Sequence, residues 1–378
     1  MRLDEHFGHC HTASARTAGT TESTMHQSLS SIRSADIAAI TQQDLPWEEL
    51  SGVHAVVTGA TGFLGGYIVR SLIALHSHAK VSKPIRLTIL VRNREKAIRE
   101  LGDVLSTSGR VEIKQWDLNQ IATPPVEEFQ VAIHAASNAS PRFFNNDPVG
   151  TILPNTIGTA ALLSSFSKSH ERRGFVFISS SEVYGATQAA SVLTESARGI
   201  VDQTNLRACY AESKRAGETM CVAWHHQEKV PTFIVRPFHT YGPGLSQDDG
   251  RVFADFAFNV AYGRNITMTG DGKARRAFCY VSDAVAGIFT ALLKGTAGTA
   301  YNVANSAAVL SISDLARLLL ELYPEKSLDI ERTSTNEKYI ASPYNDLIPD
   351  TSRLESLGWR PWTTPEEGFR RMIDSIET

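Results

Sequence analysis

Tyr210 and Lys214 stand four residues apart in a stretch that reads as a helix, so they share one face of it. An ammonium beside a phenol lowers the phenol's pKa and lets tyrosine act as a base near neutral pH. Ser180 follows a β-rich run and offers a hydroxyl to the same substrate oxygen that Tyr210 would deprotonate. Ser181 and Glu182 come directly after it. A serine-rich turn and a lone YxxxK each have a bland reading, as a loop and as a solvated helix face. Together they point to a base and a hydroxyl acting on one substrate oxygen.

A second constellation sits upstream. Thr58–Gly65 reads TGATGFLG, between a strand-like run and a helix-like run. Gly59, Gly62 and Gly65 permit a tight turn and let backbone N–H groups approach a diphosphate at a helix N-terminus. In that context the motif predicts a dinucleotide site. The next strand ends Val91–Arg92–Asn93–Arg94, with no acidic residue to hold the ribose hydroxyls of NAD. Arg92 either neutralises the 2′-phosphate of NADP or faces water, so NAD against NADP stays open here. Asp117, followed by Leu118, is placed to accept from the adenine amino group or to be a plain loop aspartate.

The elements that must position these residues alternate. Strands are expected at His54–Thr58, Ile85–Val91, Val111–Ile113, Val131–His134, Phe175–Ser179 and Thr232–Val235. Helices are expected at Phe63–Leu75, Ile152–Phe166 and Tyr210–His226. This alternation is the pattern of an α/β, doubly wound parallel sheet. Residues 1–30 are polar and aperiodic and are expected to be a disordered leader, and 31–50 a helical extension anchored by Leu45, Trp47 and Leu50. Residues 51–236 form the expected dinucleotide-binding domain. Residues 237–378, richer in Gly and Pro, form mainly a smaller substrate lobe, with 281–300 packing back on the first domain.

Composition bounds the rest. The 378 residues carry a net charge of −3, and 42% are hydrophobic, which suits a globular chain and gives no support to a nucleic-acid partner. No apolar run approaches the roughly 20 residues of a membrane span. The four cysteines have no metal-ligand spacing and are expected to be reduced thiols in a cytoplasmic protein. The His6, His9 and His11 cluster around Cys10 falls in the leader. Adjacent His225 and His226 point about 100° apart on a helix, so no metal site is expected.

TGATGFLG, SSSEVYG (Ser179–Gly185) and YAESK (Tyr210–Lys214), in this order, resemble an extended short-chain dehydrogenase/reductase. The likeness runs over about residues 50–375. Within that family the strings ASNASP (Ala136–Pro141), RACYAESKRAGETMC (Arg207–Cys221), DDGRVFADF (Asp248–Phe256) and RAFCYVSD (Arg276–Asp283) are most similar to UDP-glucuronate decarboxylases. The resemblance implies a Rossmann-type fold and a nucleotide-sugar substrate. It implies that Tyr210, assisted by Lys214, takes the proton of the sugar 4-hydroxyl while hydride leaves C4 for the nicotinamide. Ser180 then stabilises the C4 oxygen, and Glu182 and Ser181 serve near C5 and C6. Carbon dioxide leaves the resulting β-keto acid and the hydride returns.

It also implies cofactor contacts at Gly59, Thr61, Gly62, Phe63, Leu64, Gly65, Arg92, Asp117, Leu118, Ala135, Ala136, Tyr210 and Lys214. Substrate contacts are implied at Ser137, Arg142, Phe144, Arg207, His239, Arg251 and Arg276. A homodimer through the helices carrying Asn155–Thr159 and Tyr210–Lys214 is a further implication. Four positions depart from the decarboxylase pattern. Phe144 stands for a tyrosine, His239 for an asparagine and Gly244 for an arginine, and the acidic residue after the second strand is missing. These leave a nucleotide-hexose 4,6-dehydratase and a 4-epimerase as alternatives. A non-catalytic nucleotide-binding protein on this fold is a more remote one.

Overall fold

The computed structural model describes residues 18–108, 110–120, 123–187, 192–333 and 346–377. Seven parallel strands form the main sheet: β1 (His54–Thr58), β2 (Arg86–Val91), β3 (Val111–Gln115), β4 (Val131–His134), β5 (Gly174–Ile178), β6 (Thr232–Pro237) and β7 (Thr299–Val303). Their spatial order is β7-β6-β5-β4-β1-β2-β3. Strands β1, β4, β5 and β6 are buried along their whole length, which is why their sequences are apolar runs rather than alternating ones. The order reverses between β1 and β4, and a crevice at such a switch point, beyond the carboxyl ends of the strands, is where these sheets take ligands. This is the doubly wound α/β architecture read from the sequence.

Helices flank the main and smaller sheets. Those that bear on the site are, in chain order, α1 (Ala18–Thr41), α2 (Phe63–Ala74), α3 (Arg94–Ser108), α4 (Pro148–Leu153), α5 (Thr159–Phe166), α6 (Ala208–Glu228), α7 (Val281–Lys294) and α8 (Pro365–Glu377), and further helices include Val252–Ala261 and Ile312–Leu322. The single helix expected over Ile152–Phe166 is instead two, joined by a π-helical turn at Pro154–Gly158. Pro154 has no N–H to donate, so the regular ladder breaks there. Helix α3 is not among the expected elements, although Ala97 and Leu101 bury one face of it.

Part of the segment expected to be a disordered leader is helical. Helix α1 begins at Ala18, so residues 18–30 belong to a helix; residues 1–17, with the histidine cluster and Cys10, lie outside the described residues. Leu45, Trp47 and Leu50 anchor the segment between α1 and β1. All three are buried, and the Trp47 indole packs edge-on against Phe289 of α7 at 5.3 Å.

Smaller sheets complete the molecule. Strands Val309–Ser311, Arg275–Tyr280, Asp346–Pro349 and Val192–Leu193 lie in that order, with His239–Tyr241 also beside Arg275–Tyr280. Ile266–Thr269 pairs with Ile330–Thr333. Cys209, Cys221 and Cys279 are buried free thiols. Among the described residues no helix is long and apolar enough to cross a membrane, and no group of three metal-ligating side chains converges.

Candidate active site

Strand β5 ends at Ile178 and delivers Ser179–Ser181 to the carboxyl edge of the sheet, all three buried. The Ser180 hydroxyl caps the next turn by accepting from the Glu182 N–H at 3.2 Å. Helix α6 runs past this edge and presents Tyr210 and Lys214, exposed by 6% and 2%. Ser180 hydrogen-bonds the Tyr210 phenol. The Lys214 ammonium donates to the Ile178 carbonyl at 2.6 Å and lies 5.8 Å from the centre of the Tyr210 ring.

Burial decides the charge state of both groups. It pushes the Tyr210 phenol up to about 12 and the Lys214 ammonium down to about 7. The expectation that the lysine lowers the phenol therefore does not hold for the protein alone. Desolvation outweighs the Ser180 bond, and the nearby Glu182 charge works in the same direction as desolvation. Lys214 spends its short hydrogen bond on the backbone of β5.

Phe144, fully buried, stacks on Tyr210 with centroids 5.0 Å apart and planes 19° from parallel. Arg207 sits over the other ring of this pair, 5.3 Å from the Phe144 centroid. Its Nη2 donates to Glu182 Oε1 at 2.9 Å, while its Nε and Nη1 are buried with no partner. A buried guanidinium with two idle donors is costly unless an anion or a water meets them. Ser137 Oγ is buried without a partner as well.

Residues after Pro237 add their own group. His239 is half-buried between Phe253 and Phe278, with its buried Nδ1 unpartnered. Burial, then the charges of Arg276 and Arg251, hold its imidazole well below the usual histidine range, so it is neutral. Arg251 donates from Nη2 to Asp249 at 2.8 Å, and its charge also reaches the Tyr210 phenol. Arg276 is buried and donates to the Arg275 carbonyl at 2.8 Å. Arg142 turns outward: it is 42% exposed and pairs with Asp248 at 3.5 Å.

The glycine loop lies where the sequence placed it. Gly59 has φ +71°, and a Cβ there would come within 2.5–2.6 Å of the Ala135–Ala136 backbone, so the turn is packed directly on the end of β4. A Cβ on Gly62 would meet only the Gly59 carbonyl, at 3.2 Å, and this position is exposed. The loop thus keeps an open face at the N-terminus of α2, with Thr61, Phe63, Leu64 and Gly65 around it, and that fits a dinucleotide diphosphate. Leu118 packs toward Gly158, and Asp117 accepts from the Asn119 N–H at 3.0 Å and stays half-buried. Arg92 is exposed. A larger crevice of about 1000 Å³, lined by His54, Arg86 and Lys168 among others, opens at the opposite, amino ends of β1 and β2 and takes no part in this geometry.

The sequence reading missed a buried network behind the site. Glu218, one turn beyond Lys214, accepts from Arg236 through both oxygens at 2.8 and 2.6 Å, and from Ser179 Oγ. Arg236 also donates to the Tyr184 hydroxyl at 3.0 Å, which donates to Asn302. The i, i+4 spacing of Lys214 and Glu218 was the available signal. His225 accounts for the histidine pair: its Nδ1 meets the Val230 carbonyl at 2.9 Å beyond the end of α6.

A family model described as the NAD dependent epimerase/dehydratase family matches residues 55–304. UDP-glucuronic acid decarboxylase 6 of Arabidopsis thaliana is 31% identical over 328 residues, which span 86% of this chain and 89% of that protein. UDP-glucuronic acid decarboxylase 1 of Xenopus tropicalis is 31% identical over 322 residues, 84% of this chain and 70% of that one. Among solved structures, UDP-glucuronic acid 4-epimerase from Bacillus cereus, in complex with UDP-glucuronic acid and NAD, superposes with a TM-score of 0.72 at 22% identity, covering 85% of this chain and 98% of its own. The dTDP-glucose 4,6-dehydratase of Bacillus anthracis, in complex with NAD, gives 0.67 at 18% identity, with 86% and 97% covered. Likeness at those identities shows the fold.

Proposed function

Because this chain belongs to the NAD dependent epimerase/dehydratase family, we propose that it decarboxylates UDP-glucuronate to UDP-xylose through transient oxidation at C4. Arg207 carries the choice of a sugar acid over a neutral hexose. Two of its N–H donors are buried and idle beside the Tyr210–Phe144 stack, and a carboxylate is the group that would satisfy them. The named decarboxylase relatives support the same reading.

The roles follow from position. When bound, NAD supplies the acceptor and donor of the C4 hydride, and its oxidised nicotinamide brings a positive charge. Gly59, Gly62 and the start of α2 would hold its diphosphate. Tyr210 takes the proton of the 4-hydroxyl and later returns one, and Ser180 steadies the same oxygen. Lys214, anchored to Ile178, lies 5.8 Å from the centre of the phenol ring and supplies positive charge there when protonated. Once C4 is a ketone the carboxylate is β to it, so the C5–C6 bond breaks and its electron pair forms an enolate. Glu182, paired with Arg207, stands near enough to Tyr210 for its charge to be felt there, and with Ser181 it serves the protonation at C5. His239, Arg251 and Arg276 would meet the nucleotide diphosphate. Arg142 is left outside this set by its pairing with Asp248.

The test is mass spectrometry of reactions with UDP-glucuronate, UDP-glucose and GDP-mannose, each with NAD. A UDP-sugar lighter by one carbon dioxide is expected. Loss of water from a neutral hexose would replace this reading with a 4,6-dehydratase, and an unchanged mass with a new isomer would replace it with a 4-epimerase. Repeating the assay with NADP decides the cofactor preference, since Arg92 and Arg94 put no acidic residue against a 2′-phosphate.

We also propose that the chain is a homodimer through α4, α5 and α6. Val149 and Ile152 on α4 and Val222 on α6 are exposed, by 63%, 37% and 49%, and offer apolar surface on the two helices, which pack on each other. Val222→Arg is expected to halve the mass measured by light scattering. A variant that keeps the wild-type mass would place the contact elsewhere.

A further inference from the structure

We propose that Arg33, carried by the N-terminal helix α1, is a cofactor-binding residue whose guanidinium holds the diphosphate of NAD over the glycine loop. This inference rests on the NAD reading above. It goes beyond it because α1 lies wholly before residues 55–304, the part of the chain that the family model matches.

Three segments meet at the place. A cleft of about 70 Å³ is lined by Arg33 from α1, by Thr61, Gly62 and Phe63 at the start of α2, by Arg70 farther along α2, and by Gly244 from the second lobe. A Cβ on Gly244 would come within 2.8 Å of Arg33 Nη2, and Gly244 has φ +87°. The turn is thus built without a side chain where the Arg33 guanidinium lies.

The helix that carries Arg33 is fixed. Asp36, three residues on and fully buried, accepts from the Tyr67 hydroxyl at 3.0 Å, the Tyr280 hydroxyl at 2.9 Å and Arg371 at 3.1 Å. Arg33 itself lies 6.0 Å from the centre of the Tyr67 ring, which stands one turn from Phe63 on α2. Among the described residues no carboxylate forms an ion pair with Arg33.

Arg70 is the independent sign of an anion. Its side chain is only 7% exposed; Nη2 binds the Glu100 carbonyl and Asp103, both at 2.8 Å, while Nε is buried with no partner. Burial, and after it the charge of Arg33, hold Arg70 below the usual arginine range. Asp103 offsets the charge of Arg70, whereas Arg33 shares the cleft beside the N-terminus of the twelve-residue α2 with no carboxylate of its own among the described residues, a place that favours an anion. A dinucleotide diphosphate, with two negative charges, is the anion that the neighbouring glycine loop would bring.

The experiment measures dissociation constants of NAD, NADP and ADP-ribose by calorimetry, for the wild type, Arg33→Gln and Arg33→Lys. Losing a charge-assisted bond to phosphate predicts binding about tenfold to a hundredfold weaker in Arg33→Gln, equally for all three ligands. Arg33→Lys should keep part of the affinity, because it keeps the charge but not the fork. The affinity of Arg33→Gln should also fall less steeply with salt. Unchanged NAD binding in Arg33→Gln, with an unchanged melting temperature, overturns the inference. A loss confined to NADP would move Arg33 to the 2′-phosphate and overturn the diphosphate assignment. Should Arg33→Gln fail to fold, equal binding by Arg33→Lys and wild type at every salt concentration would overturn it instead. A wild type that binds none of the three ligands would defeat the cofactor reading itself, which is a distinct outcome.

Discussion

Tyr210→Phe is expected to bind NAD as the wild type does and to lose turnover by at least roughly 10²–10⁴-fold, the usual worth of a positioned general acid–base. The change removes one oxygen. It keeps the ring that stacks on Phe144 at 5.0 Å, so the wall of the site survives. What disappears is the α6 oxygen that hydrogen-bonds Ser180 at the edge of the sheet. The size of the effect depends on how the phenol is tuned. In the protein alone burial holds it near 12, a weak base at neutral pH. Lys214, pushed by burial to about 7, is only partly charged there. The positive charge of oxidised NAD favours the phenolate, so cofactor and base are coupled. Binding of NAD and product formation, measured on one preparation of the variant, separate the two roles. Turnover within tenfold of wild type would remove Tyr210 from the chemistry.

Glu218→Ala should cost roughly 3–5 kcal/mol of stability, the usual penalty for stranding one partner of a buried ion pair. Arg236 would lose both carboxylate bonds while 8% exposed, and Ser179 would lose its acceptor. The Lys214 ammonium would lose a favourable charge as well, since Glu218 raises its proton affinity. The buried lysine also sets a sign with pH. Its folded pKa lies below the unfolded value of 10.5, so burying it costs stability at low pH, and between about 7 and 10.5, where the unfolded chain binds more protons, that cost shrinks as pH rises. Urea unfolding gives the stability change, with an unchanged slope expected if the native and unfolded states keep their exposure. A loss below about 1 kcal/mol would mean that water or a rearranged side chain meets Arg236 in the variant.

Much of this architecture could be read from local patterns. Strand β1, the glycine loop and α2 form a contiguous signal, and β4 and β5 are short apolar runs between turns. The catalytic pair announces itself by helical spacing. Helix α3 was legible too, because Ala97 and Leu101 lie four apart and Asn93 caps the start by accepting from the Lys96 N–H at 2.8 Å. Its strongly polar outer face hid it. Other features could not be read locally. Val192–Leu193 pairs with Ile348–Pro349, and no periodicity reports a register set across so long a separation. The state of Tyr210 depends on burial, which spacing alone does not give. Arg142, expected at the substrate, pairs with Asp248, a residue brought close only by the tertiary fold.

Asp36 has a bearing on how the chain is made. Its partners Tyr280 and Arg371 lie 244 and 335 residues downstream. At synthesis rates of about 5–20 residues per second, the last of them leaves the ribosome roughly 17–67 s after Asp36 does. Through that interval α1 has its carboxylate but not the full set of donors that bury it. The first helix among the described residues is therefore among the last to be secured. A nascent chain cut short before Arg371 would leave its beginning unlatched, and the missing end would be felt at the glycine loop through Arg33.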